Sequence, residues 1–146
     1  MLERLDLDTN RIGGVFPSEL FQLQRLEVLA VSNNEFSGTL STMIGNLLSL
    51  TWVQLFGNKA LSGTIPTQIG FLKNLTVLTV QHTNFTGYMP DSVCALRESE
   101  KLVNGTVISV GGRLSTLQAD CASPPYPPRL QCNCCTGCFS DSYTGT

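Results

Sequence analysis

Apolar residues recur along this chain in a frame that repeats four times. Leu2, Leu26, Leu50 and Leu75 open the four copies, so successive copies lie 24, 24 and 25 residues apart. Each copy reads L-x-x-L-x-L, with valine replacing some of the later leucines. This alternation predicts a short strand, and one such strand cannot bury its apolar row alone. The pattern therefore predicts a solenoid, in which successive strands stack around a shared core.

An asparagine follows each of the first three predicted strands, at Asn10, Asn34 and Asn58. We expect these residues to form a structural ladder, because a buried amide satisfies backbone groups that a turn leaves unpaired. The fourth copy has Thr83 at this position, followed by Asn84. This difference predicts a turn that is either looser or rewired around the threonine hydroxyl.

The third copy contains a longer motif. Residues 61–75 read LSGTIPTQIGFLKNL, which resembles the plant-type extracellular leucine-rich-repeat consensus, L-x-G-x-I-P-x-x-I-G-x-L-x-x-L. Weaker copies begin at Phe36 and Phe85, and Ser41 replaces the proline in the second copy. The resemblance covers residues 1–96. It implies an α/β solenoid, a leucine-rich-repeat (L-domain-like) right-handed superhelix. A parallel sheet would line its concave side, with short strands and helical turns on the convex side.

The frame divides the chain into three parts. Four repeats are expected in residues 1–96, at about 2–25, 26–49, 50–74 and 75–98. A degenerate capping repeat is expected at 97–121, and a tail rich in proline and cysteine at 122–146.

Local signals predict the elements of the cap. A helix is expected to begin at residues 90–92, with Asp or Ser as its N-cap. The run Val107–Val110 is prone to form a strand. Residues 114–121 recover the repeat frame and predict the terminal strand of the cap, with Ala119 facing inward. Residues 124–128, PPYPP, predict an extended linker.

Six cysteines in a chain of 146 residues predict disulfides and an oxidising compartment. The ending A-D-C…C-x-C-C-x-x-C resembles the C-terminal cap of secreted and receptor-like leucine-rich-repeat proteins of diatoms, over residues 90–139. The predicted disulfide-forming residues are Cys94, Cys121, Cys132, Cys134, Cys135 and Cys138.

We expect Cys94 to pair with Cys121, because a convex-side helix should lie close to the end of the capping strand. The other four cysteines would form two bridges, with Cys134 and Cys135 not joined to each other. The alternative is a structural zinc site built from the four tail cysteines. Their spacing lacks two separated chelating pairs, so we predict no metal site.

Composition narrows the class of protein. The net charge is −2 and charged residues make up 14%, so no basic patch for nucleic acid is expected. No apolar run approaches the roughly 20 residues that span a bilayer. The N-terminus does not resemble a signal peptide and already lies inside a repeat. We expect a fragment whose leader and upstream repeats lie outside this chain; the alternative is that the first strand tolerates exposure.

The outward strand positions predict a binding surface on the concave side. Val28, Trp52 and Val77 should stand side by side, with Phe56 close to Trp52. Clustered exposed aromatics are typical of binding hot spots. The alternative is that Trp52 packs sideways on its neighbours and merely shields the sheet. The predicted ligand-binding residues are Val28, Trp52, Gln54, Phe56, Val77, Thr79, Gln81 and His82.

Three asparagines lie in N-x-S/T acceptor motifs for glycosylation, at Asn74, Asn84 and Asn104. Asn104 is the strongest of the three, because it precedes a glycine in a predicted loop.

Catalytic chemistry has little support in the sequence. His82 is the only histidine, and no nucleophile is obviously paired with it. Asp6 and Asp8 share one strand face, as an acid/base pair would, but a solvated polar stripe explains them better. We therefore predict a protein that is not an enzyme and has no cofactor.

The leading hypothesis is an extracellular recognition module, secreted or at the cell surface, that binds a protein, peptide or glycan through its concave face. It would come from a secreted or receptor-like protein, whose membrane anchor, if it has one, lies outside this chain. The alternatives are an inhibitor of secreted cell-wall-degrading enzymes and a structural adhesion or cell-wall protein.

Overall fold

The computed structural model describes residues 2–97, 99–110, 112–122 and 128–140. The strands, in chain order, are β1 Arg4–Asp6, β2 Gly13–Gly14, β3 Val28–Ala30, β4 Glu35–Thr39, β5 Trp52–Gln54, β6 Ala60–Gly63, β7 Val77–Thr79, β8 Asn84–Phe85, β9 Gly87–Tyr88, β10 Ser99–Val103, β11 Thr106–Val110, β12 Thr116–Ala122, β13 Leu130–Gln131 and β14 Gly137–Ser140. The helical turns are the 3-10 helices η1 Ser18–Gln22, η2 Thr42–Asn46 and η3 Thr67–Phe71, and the α-helix α1 Asp91–Cys94. In this part of the chain, no helix has the length and apolar character that crossing a bilayer requires.

The strands of the repeat frame form one parallel sheet, in the order β1-β3-β5-β7-β12-β14, which we call the concave sheet. Its register aligns Leu5, Leu29, Val53, Leu78 and Leu117 in a single row. The last four of these side chains are fully buried, and they form part of one continuous hydrophobic core. The predicted leucine-rich-repeat fold is therefore confirmed.

A second parallel sheet, in the order β2-β4-β6-β8, runs along the other side of each repeat, and we call it the convex sheet. The glycine of the L-x-G-x-I-P motif has a left-handed backbone conformation in all four repeats, at Gly14, Gly38, Gly63 and Gly87. Gly63, for example, has a φ of +85°, which a residue with a Cβ adopts only with strain. The next residues lead into η1, η2, η3 and α1, which stack on the side of the core opposite the concave sheet.

The predicted asparagine ladder is present. The amide oxygen of Asn34 accepts a hydrogen bond from the Ile12 backbone nitrogen at 3.0 Å. Its nitrogen donates to the Val31 carbonyl at 3.1 Å, and buried Asn58 repeats this arrangement one repeat later. Asn10 is exposed and bonds only carbonyls of its own turn. The ladder thus joins successive repeats at Asn34 and Asn58, and Asn10 contributes only locally.

The turn of the fourth repeat is rewired, which is the second of the two predicted alternatives. The Thr83 hydroxyl donates to the Val80 carbonyl at 2.7 Å, as the asparagine amides do in the earlier repeats. The Thr83 backbone nitrogen donates to the buried carboxylate of Asp120 at 3.2 Å. The cap therefore supplies a buried acceptor to this turn, at the ladder position itself.

The cap contains the predicted strand of the repeat frame, but this strand is not the last. β12 pairs with β7, and Ala119 is buried as predicted. The prediction of a terminal strand is wrong, because β14 pairs with the other side of β12. Thr136 holds the tail there, since its backbone nitrogen donates to the Leu117 carbonyl at 2.8 Å. Its hydroxyl accepts a hydrogen bond from the Leu117 nitrogen at 2.8 Å.

Two further predictions concern the segments around the cap. The run Val107–Val110, which was predicted to form a strand, lies in β11. This strand pairs with β10, which the sequence did not predict. Asn104 and Gly105 form the turn between them, and both have positive φ, as a tight hairpin turn requires. The predicted proline linker lies outside the described residues except for Pro128.

The six cysteines form three disulfides: Cys94–Cys134, Cys121–Cys138 and Cys132–Cys135. The predicted Cys94–Cys121 pair is wrong, because β14 places Cys138 directly beside the end of β12. The prediction that Cys134 and Cys135 are not joined to each other is confirmed. Every cysteine is oxidised, so none offers the free thiolate that the zinc alternative needs.

Gly70 permits the close approach of α1 to η3, and its replacement tests how tightly the repeats stack. A Cβ at Gly70 would lie 2.5 Å from the Ser92 Cβ and 2.8 Å from the Ser92 carbonyl oxygen. We expect Gly70→Ala to lower the free energy of unfolding by about 1–3 kcal/mol, as overpacking does. The matched control is Gly13→Ala, whose Cβ would meet nothing closer than 3.4 Å. If urea denaturation shows that the two variants lose the same free energy of unfolding, close packing at Gly70 is not the cause.

Candidate ligand-binding site on the concave sheet

The strand register brings the predicted aromatic residue and its neighbours together. Val28, Trp52 and Val77 occupy one row across β3, β5 and β7, as the alternation predicted. In the next outward row, Gln54 lies between Ala30 and Thr79. Their side chains point to the concave side because they alternate with the buried leucine row.

A groove of about 280 Å³ crosses the N-terminal half of this sheet, and we call it the concave groove. The indole of Trp52 is 39% exposed, and Val28 and Gln54 beside it are half-buried. The groove therefore has one large accessible aromatic with a smaller apolar neighbour. The residues that line it are Arg4, Asp6, Asp8, Val28, Ala30, Thr51, Trp52 and Gln54.

Charged residues of the first repeat form one wall of the concave groove. The Arg4 guanidinium donates to the Asp6 carboxylate at 2.7 Å. This hydrogen bond, together with that from the Asp8 backbone nitrogen, lowers the pKa of Asp6. Asp8 accepts a hydrogen bond from the Ser32 backbone nitrogen at 2.6 Å, which orients its carboxylate. A lowered pKa favours a permanently ionised carboxylate, which is the opposite of what a general acid needs.

The C-terminal half of the sheet is less accessible than predicted. Val77, Thr79 and Gln81 are only 8%, 4% and 8% exposed, so they offer little surface to a ligand, and their role in binding stays a prediction. On the cap side of β7, Thr116 and Gln118 of β12 lie beside Val77 and Thr79 in the same outward rows. Gln81 also donates through its Nε2 to the Gln118 Oε1 at 3.1 Å. Phe56, one strand away from Gln81, is half-buried.

His82 is tied to the cap and does not line the concave groove. Its Nδ1 lies 4.0 Å from the buried Asp120 carboxylate, and its ring meets the edge of Phe139 at 5.8 Å between centroids. It also holds a left-handed backbone conformation, with a φ of +56°. Its surroundings therefore explain His82 as a structural contact between the fourth repeat and the cap.

The predicted site leaves out five residues that line the concave groove: Thr51, and also Arg4, Asp6, Asp8 and Ala30. The same two-residue alternation placed the last four on the outward face, so the signal was available. The predicted patch is instead centred on the aromatic residues Trp52 and Phe56 of the third repeat. Thr51 has no such signal, because it precedes the strand.

The three glycosylation acceptors differ in accessibility. Asn74 and Asn104 are exposed, and Asn104 lies at the tip of the β10–β11 turn. Asn84 is half-buried, and its side-chain oxygen accepts a hydrogen bond from Arg129. The geometry therefore favours Asn74 and Asn104 as acceptors, and glycosylation itself stays a prediction.

Comparisons with known proteins agree with this fold. The leucine rich repeat family profile matches residues 1–59. No curated protein matches the chain significantly, whereas 70 chains of solved structures do. The plant peptide hormone receptor RGFR1, solved in complex with RGF2, is 31% identical over 66% of this chain, with a TM-score of 0.64. The ectodomain of the receptor kinase SOBIR1 from Arabidopsis thaliana is 30% identical over 66%, with a TM-score of 0.62.

A plant ice-binding protein covers more of the chain, 90%, at 24% identity and a TM-score of 0.64, which shows a shared fold. This chain spans 15% of the RGFR1 chain, 51% of the SOBIR1 chain and 35% of the ice-binding protein. The chain thus has a leucine-rich-repeat fold that is similar to the extracellular ectodomains of plant receptors, with a C-terminal region held by disulfides. Domains of this kind are typically non-catalytic.

Proposed function

We propose that this chain is a non-catalytic, extracellular recognition module that binds a peptide or an extended protein segment in the concave groove. The observation that carries the proposal is the accessible Trp52 beside the wall that Asp6 and Asp8 form. Large, rigid aromatics in a partly desolvated setting supply most of the energy at many interfaces. The resemblance to RGFR1, solved with RGF2, supports a peptide as the ligand.

The charges of the concave groove favour a basic ligand side chain. Arg4 neutralises one carboxylate, while Asp8 bonds only backbone groups in the described residues, so a net negative charge remains on this wall. A lysine or arginine can place its cation over the Trp52 ring and near a carboxylate. The ligand class is therefore an extended peptide with at least one basic residue.

The test selects ligands from a random dodecapeptide display library on the whole chain and then measures the affinity of the selected peptides by calorimetry. We expect Lys or Arg in the enriched peptides. Trp52→Ala should weaken their binding at least about thirtyfold, the effect of losing a hot-spot residue of about 2 kcal/mol. Asp6→Asn and Asp8→Asn should weaken it less, with a smaller salt dependence.

The matched control is Phe71→Ala, which removes an exposed aromatic from η3 on another face of the repeat. It should leave the affinity of the selected peptides unchanged. If Trp52→Ala leaves the affinity unchanged, or if Phe71→Ala lowers the affinity as much, the concave groove is not the binding site. Enriched peptides without basic residues would reject the proposed ligand class but leave the groove as the site.

A further inference from the structure

A second cleft lies away from the concave sheet, where the cysteine-rich tail returns to the convex side. Its volume is about 350 Å³, and we call it the cap cleft. This size is at the lower end of the range for ligand pockets. The residues that line it are Tyr88, Met89, Pro90, Asp91, Cys94, Gln131 and Asn133.

Backbone pairing and a disulfide hold the two walls of the cap cleft together. β9 and β13 pair in parallel, with Tyr88 opposite Gln131. The Met89 backbone nitrogen donates to the Gln131 carbonyl at 2.7 Å. The Cys94–Cys134 disulfide then ties α1 to the tail just beyond Asn133. The cleft therefore exists before a ligand arrives, which reduces the ordering cost of binding.

The polar side chains of the cap cleft are available to a ligand. Tyr88 is 70% exposed, so one face of its ring is open. No hydrogen bond within the described residues engages the side chains of Tyr88, Asp91, Gln131 or Asn133. The carboxylate supplies only acceptors, while the two amides supply both donors and acceptors. The cleft thus offers the face of an aromatic ring together with side chains that can donate hydrogen bonds to hydroxyl groups and accept hydrogen bonds from them.

We propose that the cap cleft binds a neutral saccharide, independently of the concave groove. The Tyr88 ring packs against the C–H face of one pyranose, and Asp91 accepts hydrogen bonds from its hydroxyls. Gln131 and Asn133 bond the remaining hydroxyls from the tail side. Asp91 is the one charged residue among the lining residues, so an acidic sugar such as a uronic acid is repelled. A peptide anchored by a large aliphatic side chain fits less well, since the buried Met89 offers such a side chain little surface.

The test uses four neutral trisaccharides, cellotriose, laminaritriose, xylotriose and mannotriose, with trigalacturonic acid as the acidic counterpart. Binding to the whole chain is followed by saturation-transfer NMR and by titration of backbone amide shifts. We expect at least one neutral trisaccharide to bind with shifts around residues 88–91 and 131–133, and trigalacturonic acid to bind at least tenfold more weakly. Tyr88→Ala should reduce the affinity at least about tenfold, and Tyr88→Phe should retain it, because stacking needs only the ring.

Two control variants separate this site from the rest of the molecule. Thr64→Ala changes the equivalent outward position one repeat earlier and should leave saccharide binding unchanged. Trp52→Ala should also leave saccharide binding unchanged, because Trp52 lies on the concave sheet, whereas Tyr88 lies on β9, outside that sheet. The proposal is overturned if none of the four neutral trisaccharides binds, if trigalacturonic acid binds as well as they do, or if Trp52→Ala abolishes binding while Tyr88→Ala does not.

Discussion

Removal of the Cys94–Cys134 disulfide, as the double variant Cys94→Ala/Cys134→Ala, will lower the free energy of unfolding by about 4 kcal/mol. The two residues are 40 positions apart, so the bond closes a long loop and strongly restricts the unfolded chain. It also joins α1 to the tail, which supplies the last strand of the concave sheet. Urea denaturation of the non-reduced variant measures the loss.

The tail offers a matched control for this prediction. Cys132 and Cys135 are only 3 positions apart, so Cys132→Ala/Cys135→Ala should cost about 2 kcal/mol by the same loop-closure argument. The Cys121–Cys138 bond, with a separation of 17, should fall between them. A larger loss for the Cys132–Cys135 pair than for the Cys94–Cys134 pair would show that loop length does not govern the stability of the cap.

Asn58→Ala is expected to lower the free energy of unfolding by about 3 kcal/mol, because it leaves several buried backbone groups without partners. The Asn58 amide oxygen accepts from the Phe36 nitrogen at 3.1 Å. Its nitrogen donates to the carbonyls of Val31 and Leu55 at 3.0 and 2.8 Å. The side chain is fully buried, so water does not replace these bonds.

Asn10→Ala is the control for the ladder, since Asn10 occupies the same repeat position but is exposed. Asn10→Ala should lower the free energy of unfolding by less than about 1 kcal/mol, because water can bond the carbonyls that lose the Asn10 amide. Thermal and urea unfolding of both variants give the comparison. A similar loss at Asn10 and Asn58 would mean that burial does not set the energetic value of the ladder.

The repeats were predictable because the information that specifies them is local and recurs. Leu29, Val53 and Leu78 each occupy the same place in a frame of about two dozen residues. When the repeats stack, each of these residues has the same environment as its counterpart in the next repeat. One sequence pattern therefore predicts the sheet, the core and the asparagine ladder together. Even the exception at Thr83 was visible, since a hydroxyl at that position can replace only part of an amide.

The binding face was only partly predictable. Alternation identifies which residues point outward, and it did so correctly for Val28 and Trp52. Accessibility depends instead on the neighbouring side chains: Gln118 of β12 lies beside Thr79 and accepts a hydrogen bond from Gln81. The charged residues of the first repeat remain open in the concave groove, which shifts the candidate site toward the N-terminal half of the sheet.

By itself, the sequence determined the stacked repeats, the inward leucine row, the asparagine ladder and the oxidised state of the cysteines, because each follows from short-range periodicity or composition. The cysteine pairing, the place of β14 in the sheet and the cap cleft beside Tyr88 became apparent from the three-dimensional fold alone. The physical reason is that the tail has no repeat of its own. Its position is set by contacts with residues about 20 to 45 positions away, and a linear pattern does not encode such contacts.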